Sequence, residues 1–291
     1  MDSSVLEKAH RIKCIFVDLD GTTLRTNGVM SQYTSDIFRK LIEKGYYVGI
    51  STGRALTCLG YVLEPVKFIT NCPSIGCCGA EAGPACEEKG KRILYKPFPL
   101  DTLKDMMRFI YDHHFDFSCD GFGSHYMSST RKLDFYNNAI RISKEYNVYY
   151  PDNMLIHSYE EAEKRMLDNT VLKPMILYRD DTEQKLITDW IDAHPSIARK
   201  KSAHSQLYEV MRSDVSKASA METVCRHLGI SAEECCSFGD SENDVEIFEA
   251  AGLSVAVCNG IPCALEKADI ITEYTNDEDG PARTAAKLFL E

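Results

Sequence analysis

The sequence predicts an α/β protein, a doubly wound, Rossmann-like parallel sheet whose order is interrupted by an inserted α+β unit. Three observations carry that reading. Short apolar runs end abruptly in polar residues such as Asp18 and Ser51-Thr52. Stretches with apolar residues at helical spacing follow them, so that strands and helices alternate. The rhythm changes after Gly83-Pro84 and resumes near Gln206.

Residues 12–17 form an apolar run that stops at Asp18, as a buried parallel strand does at its carboxyl end. Over 36–44 the residues Ile37, Leu41 and Ile42 recur at helical spacing, and Gly45 terminates the helix. A second strand is expected over 46–50, running into Ser51-Thr52-Gly53-Arg54, then a helix over 55–63 and a short strand over 68–70. Beyond Gly83-Pro84 we expect helices over 100–113, 132–144, 160–167 and 182–193, and strands over 115–119, 125–128 and 174–178. Tyrosines are dense between 126 and 159, which suits a small α+β unit with an aromatic surface. The alternation returns with strand 207–211, helix 217–228, strand 235–238, helix 245–250, strand 253–257 and a closing helix over 281–290. The expected division is a core of residues 1–83 and 203–291 carrying an inserted domain of residues 84–202.

With 291 residues, 44% apolar and 26% charged, the chain can bury a sizeable core as one large domain or two modest ones. No apolar stretch approaches the roughly 20 residues of a spanning helix, and residues 1–13 lack the apolar centre of a secretion signal. A soluble, cytoplasmic protein without membrane partners is expected, either a monomer or a small homo-oligomer. Among the twelve cysteines, Cys77-Cys78 and Cys235-Cys236 are adjacent pairs beside apolar runs, and neighbours do not staple distant segments. No second CxxC and no spaced histidine pair completes a four-ligand metal knuckle around Cys72 and Cys77-Cys78. The thiols read as reduced, small buried hydrophobes. A net charge of −11 repels a phosphate-rich polymer and argues against nucleic acid, yet a local cation and backbone amides can still hold a small phosphate.

In an open parallel sheet, ligands bind beyond the carboxyl ends of the strands. Four such places form a set: Asp18 and Asp20, Thr52-Gly53, Lys217, and Gly239-Asp240-Ser241-Glu242-Asn243-Asp244. Side chains of an extended segment alternate, which puts Asp18 and Asp20 on one side, where paired carboxylates attract a hard cation such as Mg²⁺. Asp240, one strand away, would add another oxygen, and Gly21 permits a sharp exit from the strand. With its charge neutralised, phosphate is open to attack by a carboxylate, which fits Asp18, while Asp20 would protonate the leaving oxygen and later take a proton from water. Thr52 and Gly53 offer a hydroxyl and backbone N–H groups to phosphate; equally, Thr52 would cap the helix that follows. Arg54 faces either the phosphate or the inserted domain and stays outside the predicted site. Lys217 opens a helix, where a cation gains nothing from the helix dipole, so an anion nearby better explains it. Asn243 would hydrogen-bond phosphate, and Asp244 would orient either Lys217 or a metal-bound water; helix capping explains one of these residues but not the group.

These residues resemble the haloacid dehalogenase-like superfamily, most closely its Cof-type hydrolase branch. Asp18-Leu19-Asp20-Gly21-Thr22, Ser51-Thr52-Gly53-Arg54, Lys217 and Gly239-Asp240-Ser241-Glu242-Asn243-Asp244 are similar to its four motifs, in order, and Asn276-Asp277-Glu278-Asp279-Gly280 to a further segment of the branch. The resemblance implies Asp18 as nucleophile and metal ligand, Asp20 as acid/base whose backbone carbonyl reaches the metal, and Asp240 as the remaining protein ligand. It implies that Leu19, Thr52, Gly53, Lys217 and Asn243 hold the phosphate. The segment 23–33 is too short for a domain, so the chain resembles members with an α/β cap between the second and third motifs. One departure stands out: where the branch often carries Asn-Gly-Ala, this chain has Cys78-Gly79-Ala80.

The reading is thus a Mg²⁺-dependent phosphatase for a small phosphorylated metabolite, a sugar phosphate, nucleotide or cofactor phosphate. A phosphomutase resembling phosphomannomutase differs only in the acceptor, and a non-enzymatic phosphate-binding protein would not need Asp18 and Asp20 together. Within the cap, Phe122, His125, Tyr126 and Arg131 are candidate substrate contacts, with burial in the cap core as the alternative.

Overall fold

The apolar run ahead of Asp18 becomes a strand buried on both faces, and two layers of helices wind about it. The structure is a computed structural model that describes residues 3–85, 89–128, 133–167, 170–201 and 206–291. In chain order its elements are α1 (Ser3–Ala9), β1 (Cys14–Val17), α2 (Gln32–Glu43), β2 (Tyr47–Ile50), α3 (Gly60–Leu63), β3 (Ser74–Gly76), β4 (Glu81–Gly83) and β5 (Leu94–Tyr95). Then come α4 (Leu100–Asp112), β6 (Phe117–Gly121), β7 (Ser124–Met127), α5 (Leu133–Glu145), β8 (Asp152–Leu155), α6 (Tyr159–Arg165), β9 (Val171–Leu177), α7 (Asp181–Asp192), β10 (Ile197–Lys201) and β11 (Leu207–Arg212). The chain closes with α8 (Lys217–Leu228), β12 (Cys235–Gly239), α9 (Glu242–Ala250), β13 (Leu253–Ala256), α10 (Pro262–Lys267), β14 (Ile270–Ile271) and α11 (Gly280–Phe289).

The core sheet has the order β14-β13-β12-β1-β2 and is parallel throughout. Along β1, Ile15 and Val17 join Phe38 and Leu41 of α2 and Phe289 of α11 in one core. Cys14 and Phe16 face the other way, onto Met221 and Val224 of α8 and Ile247 of α9. Burial of both faces is why the run shows no polar alternation, and each large side chain so buried contributes about 1.5–3 kcal/mol. Helix α2 starts earlier than expected because Ser31 caps it, accepting the Thr34 N–H at 3.0 Å.

The strand expected over 68–70 does not form, and Ile69 is exposed. At that edge the Asn71 side chain accepts from Val48 N at 2.7 Å and donates to Tyr46 O at 2.9 Å, occupying backbone groups that a paired strand would use. The next strand is β3, which forms a three-stranded sheet, β3-β4-β5, and meets the end of β2 through a Ser51–Ile75 bridge. The helix expected over 55–63 is a 3₁₀ turn, Leu56–Cys58, followed by the short α3, neither with a side-chain cap.

The inserted unit is built on a mixed six-stranded sheet, β10-β11-β9-β6-β7-β8, antiparallel except between β7 and β8. Its core joins Phe117, Tyr126 and Ile176 to Met106 and Ile110 of α4 and Ile187 and Ile191 of α7. Helix α5 instead packs on the catalytic core, where Ala139 shares a cluster with Leu59 and Val62. The strand read over 207–211 as the return of the core alternation is β11, and it pairs with β9 and β10 in the inserted sheet. A short amphipathic run carries no mark of which sheet it joins. The expected boundary at 202/203 and the candidate contact Arg131 lie outside the described residues. No helix among the described residues is long and apolar enough to cross a membrane.

Candidate active site

Asp18 follows β1 directly, its N–H donating to Phe238 O at 2.9 Å across the β12 edge. The exit turn at 19–23 then takes over from the strand, with Gly21 at φ +77. A Cβ on Gly21 would stand 2.5 Å from an Asp240 carboxylate oxygen, so both conformation and space require glycine there. The turn also ends the alternation that was expected to hold Asp18 and Asp20 together. Asp18 is buried and faces Lys217, whereas the Asp20 side chain is 58% exposed and faces Arg54.

Lys217 is the first residue of α8, behind a capping box in which Ser216 and Ser219 exchange hydrogen bonds. Its wholly buried Nζ lies 3.0 Å from Asp18 Oδ1 and 2.6 Å from Asp244 Oδ1. Asp244 in turn accepts the N–H groups of Asp240 and Ser241 at 3.1 Å each. It fits only because residue 239 is glycine, since a Cβ there would meet Asp244 Cγ at 2.2 Å. Thr22 fixes Asp240, donating to its Oδ1 at 2.7 Å. Carboxylate oxygens of Asp18, Asp240 and Asp244 lie within 4.8 Å of one another, among the described residues the only group of three or more metal-ligating side chains so close.

The electrostatics follow from burial. Desolvation raises the Asp18 pKa well above the ordinary carboxylate range; Lys217 pulls it down, and Asp244 and Asp240 push it up again. Burial, then Asp244, pushes Asp240 up to about 7. Burial works against the Lys217 ammonium, but Asp18 and Asp244 outweigh it and keep the lysine charged. Three carboxylates share one internal cation, and their donor set is all oxygen, which suits a hard divalent cation. Asp20 contributes no carboxylate to that set, so only its backbone carbonyl remains for the metal role that the resemblance implies.

Asp20 has its own partner. Arg54 Nε donates to Asp20 Oδ2 at 2.6 Å, a second guanidinium nitrogen reaches Oδ1, and a third donates to the Tyr61 hydroxyl. Although its side chain is more than half exposed, the cleft walls partly desolvate the Asp20 carboxyl and raise its pKa; the guanidinium outweighs this and holds the group below its ordinary value. Asp20, Arg54 and Tyr61 line a cleft of about 430 Å³ whose opposite wall includes Asn138 and Ile142 of α5.

The loop after β2 carries two of the remaining predicted residues, Thr52 and Gly53. Thr52 does not cap a helix; its Oγ1 accepts the Arg54 N–H at 3.2 Å, tightening the loop. The Gly53 carbonyl accepts from Lys173 Nζ at 2.6 Å, a contact from the inserted unit. Lys173 also bonds Glu209 at 2.7 Å, on the neighbouring strand β11. Asn243 donates to Cys78 Sγ at 3.5 Å and its Oδ1 accepts from Ser241. Leu19 is buried in the exit turn. Cys78, at the position where the Cof-type branch often has Asn, adopts φ +54, a conformation asparagine tolerates better than most residues.

A model of the haloacid dehalogenase-like hydrolase family matches residues 15–284. The chain belongs to that family. It is 25% identical over 285 residues to the 5-amino-6-(5-phospho-D-ribitylamino)uracil phosphatase YitU of Bacillus subtilis, covering 94% of this chain and 97% of the relative. It is 26% identical over 272 residues to a second B. subtilis phosphatase of that name, YcsE, covering 94% of each. In fold it is similar to a haloacid dehalogenase-like hydrolase from B. subtilis, with TM-score 0.80 and 22% identity over 94% of this chain and 99% of that one. It is likewise similar to the HAD subclass IIB sugar phosphatase BT4131, with TM-score 0.75 and 21% identity over 95% and 98%. This haloacid dehalogenase-like hydrolase is a Cof-type phosphatase with an inserted cap.

Several contacts in this hydrolase leave little trace in its sequence. Thr22 stood inside the first motif, yet its grip on Asp240 depends on how the exit turn folds. Lys173 and Glu209 each interrupt an apolar strand, in Val171–Leu177 and Leu207–Arg212, and that interruption was their available signal. Of the candidate cap contacts, Tyr126 is part of the cap core, Phe122 packs edge-on to Tyr95, and His125 faces Cys58 of the catalytic core.

Proposed function

We propose that the chain hydrolyses phosphate monoesters of small metabolites, with Asp18 as nucleophile and Mg²⁺ as the cation. The observation that carries this reading is the buried Asp18 carboxylate held at 3.0 Å by Lys217 and faced by Asp240 and Asp244. Lys217 fixes the direction of the Asp18 oxygen and offsets charge as the carboxylate attacks phosphorus to form an aspartyl phosphate. Asp18, Asp240 and the Asp20 carbonyl would hold Mg²⁺, which when bound neutralises the phosphate oxygens. The backbone of Leu19, Thr52 and Gly53 and the Asn243 amide bind those oxygens.

Asp20 supplies the proton traffic. While Arg54 grips it, Asp20 is a carboxylate suited to take a proton from water in the second step. An arriving anionic group that draws Arg54 away releases Asp20 to rise and donate a proton to the leaving oxygen in the first. The relatives' names support phosphorylated polyol or sugar leaving groups as the substrate class. We place the cap between the end of β5 at Tyr95 and the segment 213–216, because β5 pairs with β4 beside the core whereas every strand from β6 to β11 belongs to the cap sheet. It closes over the cleft from the α5 side and excludes water until the leaving group is seated. The test is Asp18→Asn, which abolishes Mg²⁺-dependent release of p-nitrophenol from p-nitrophenyl phosphate; activity retained in a clean preparation would refute the mechanism.

A further inference from the structure

The core and the cap share a second constellation, outside the phosphate site. Cys58 ends the 3₁₀ turn Leu56–Cys58 of the catalytic core. Its Sγ lies 3.1 Å from Nε2 of His125, a residue of cap strand β7. The other ring nitrogen, Nδ1, lies 2.9 Å from Asp120, which sits directly opposite on β6. All three side chains are buried. A thiol bonded to an imidazole that is itself oriented by a carboxylate is the arrangement that makes a cysteine nucleophilic. We propose that Cys58, activated by His125 and Asp120, is a thiol-modification site that forms a mixed disulfide with low-molecular-weight disulfides when the cap lifts and thereby blocks cap closure.

The placement of the three residues carries the argument. Thiol and base belong to different domains, so the pair is assembled at closure and is opened to solvent when the cap lifts for substrate entry, a motion that belongs to the proposed function. The imidazole is faced by Asp120, by Cys58 and by the Tyr150 ring, with centroids 5.7 Å apart, and Lys173 stands 3.5 Å behind Asp120. Burial lowers the His125 pKa, but Cys58 and Asp120 raise it to about 10, which keeps the proton on the ring. In the exchange, the thiolate attacks one sulfur of the reagent, the reagent's S–S bond breaks as the Cys58 mixed disulfide forms, and the released thiolate takes up a proton. A 3.1 Å contact leaves no room for the adduct. The interface beside it is equally tight, since a Cβ on Gly60 would already meet Val148 Cβ at 3.2 Å. Tyr150 also packs edge-on against Tyr61, which holds Arg54, so a cap wedged open here disturbs the grip on Asp20.

The test incubates the full chain with glutathione disulfide, or with iodoacetamide, and maps modified peptides while following phosphatase activity. Cys58 is expected to carry the mixed disulfide, with activity falling at least tenfold and returning with dithiothreitol. Cys58→Ser keeps its basal activity and resists inactivation. His125→Gln forms the adduct at least tenfold more slowly at neutral pH, and its alkylation rate rises only at higher pH. Asp120→Asn provides the same comparison should His125→Gln fail to fold. An adduct on another cysteine with Cys58 bare overturns the proposal, as does His125→Gln reacting as fast as the parent chain, the behaviour of a histidine that merely shields the thiol. Cys58 untouched by both reagents in a fully active enzyme also overturns it, by showing that the cap does not lift there, and leaves the phosphatase mechanism standing.

Discussion

Replacing Lys217 by methionine removes the one internal cation from a pocket that holds three carboxylates. Its Nζ lies 3.0 Å from Asp18 and 2.6 Å from Asp244, and its side chain has no exposed surface. At an effective dielectric constant of about 20, each contact corresponds to roughly 6 kcal/mol of attraction. Desolvation offsets much of that, and breaking a buried ion pair typically costs about 3–5 kcal/mol. At about 2–4 °C per kcal/mol, the metal-free Lys217→Met variant should melt roughly 10 °C below the parent chain. Magnesium chloride should recover more of the melting temperature in the variant than in the parent, because the cation replaces a lost positive charge. Turnover of p-nitrophenyl phosphate should fall about 10²–10³-fold, the usual effect of removing one group that stabilises transition-state charge. The assays are thermal melts in EDTA and in magnesium, with steady-state kinetics beside them. A variant that melts within 2 °C of the parent in EDTA and keeps turnover within tenfold would show that the carboxylates do not depend on Lys217.

Three further outcomes follow from the same geometry. Gly21→Ala meets both a left-handed backbone and an Asp240 oxygen at 2.5 Å, so it should cost about 1–2 kcal/mol in strain and raise the magnesium concentration needed for half-maximal activity at least tenfold. Cys78→Asn should leave stability unchanged or raise it by about 1 kcal/mol, read from the denaturant midpoint, because φ at that position is +54. Burial lowers the His125 pKa, but Cys58 and Asp120 raise it to about 10, so its contribution to stability is complete below about pH 6.5 and is lost as pH rises through about 10. Urea unfolding at pH 6, 8 and 10 should show a decline of a few kcal/mol that is absent in His125→Gln; an identical slope in the two chains would refute the assignment.

The strand-end residues were legible because a parallel sheet sends its ligand-binding groups to one edge, whatever the cap does. Asp18, Lys217 and Asp240 lie together there. Asp20 was harder, since the period-two argument assumes an extended chain and the exit turn at 19–23 ends that assumption. The membership of β11 escaped for a related reason: its short apolar run announces a strand, while its hydrogen-bond partners lie 30 residues or more earlier in β9 or in the preceding strand β10. Edge strands such as Ile197–Lys201, rich in cations, carry too little hydrophobic signal to be found at all. Contacts between domains, such as Lys173 with Gly53, depend on docking two folded units and leave no periodic trace.

The position of β11 has a bearing on how such enzymes diversify. Residues 213–216 are all that separates the last residue of a cap strand from Lys217. Of the two chain crossings between cap and core, this one therefore ends on the machinery itself, so that a cap that moves would be hinged beside the lysine. Recombination that exchanges caps among relatives must keep this four-residue splice and the Ser216 cap intact, or a new specificity will arrive with its lysine out of register. Drift in substrate choice is then expected to come chiefly by point substitution in the cleft-facing elements, with the hinge held constant.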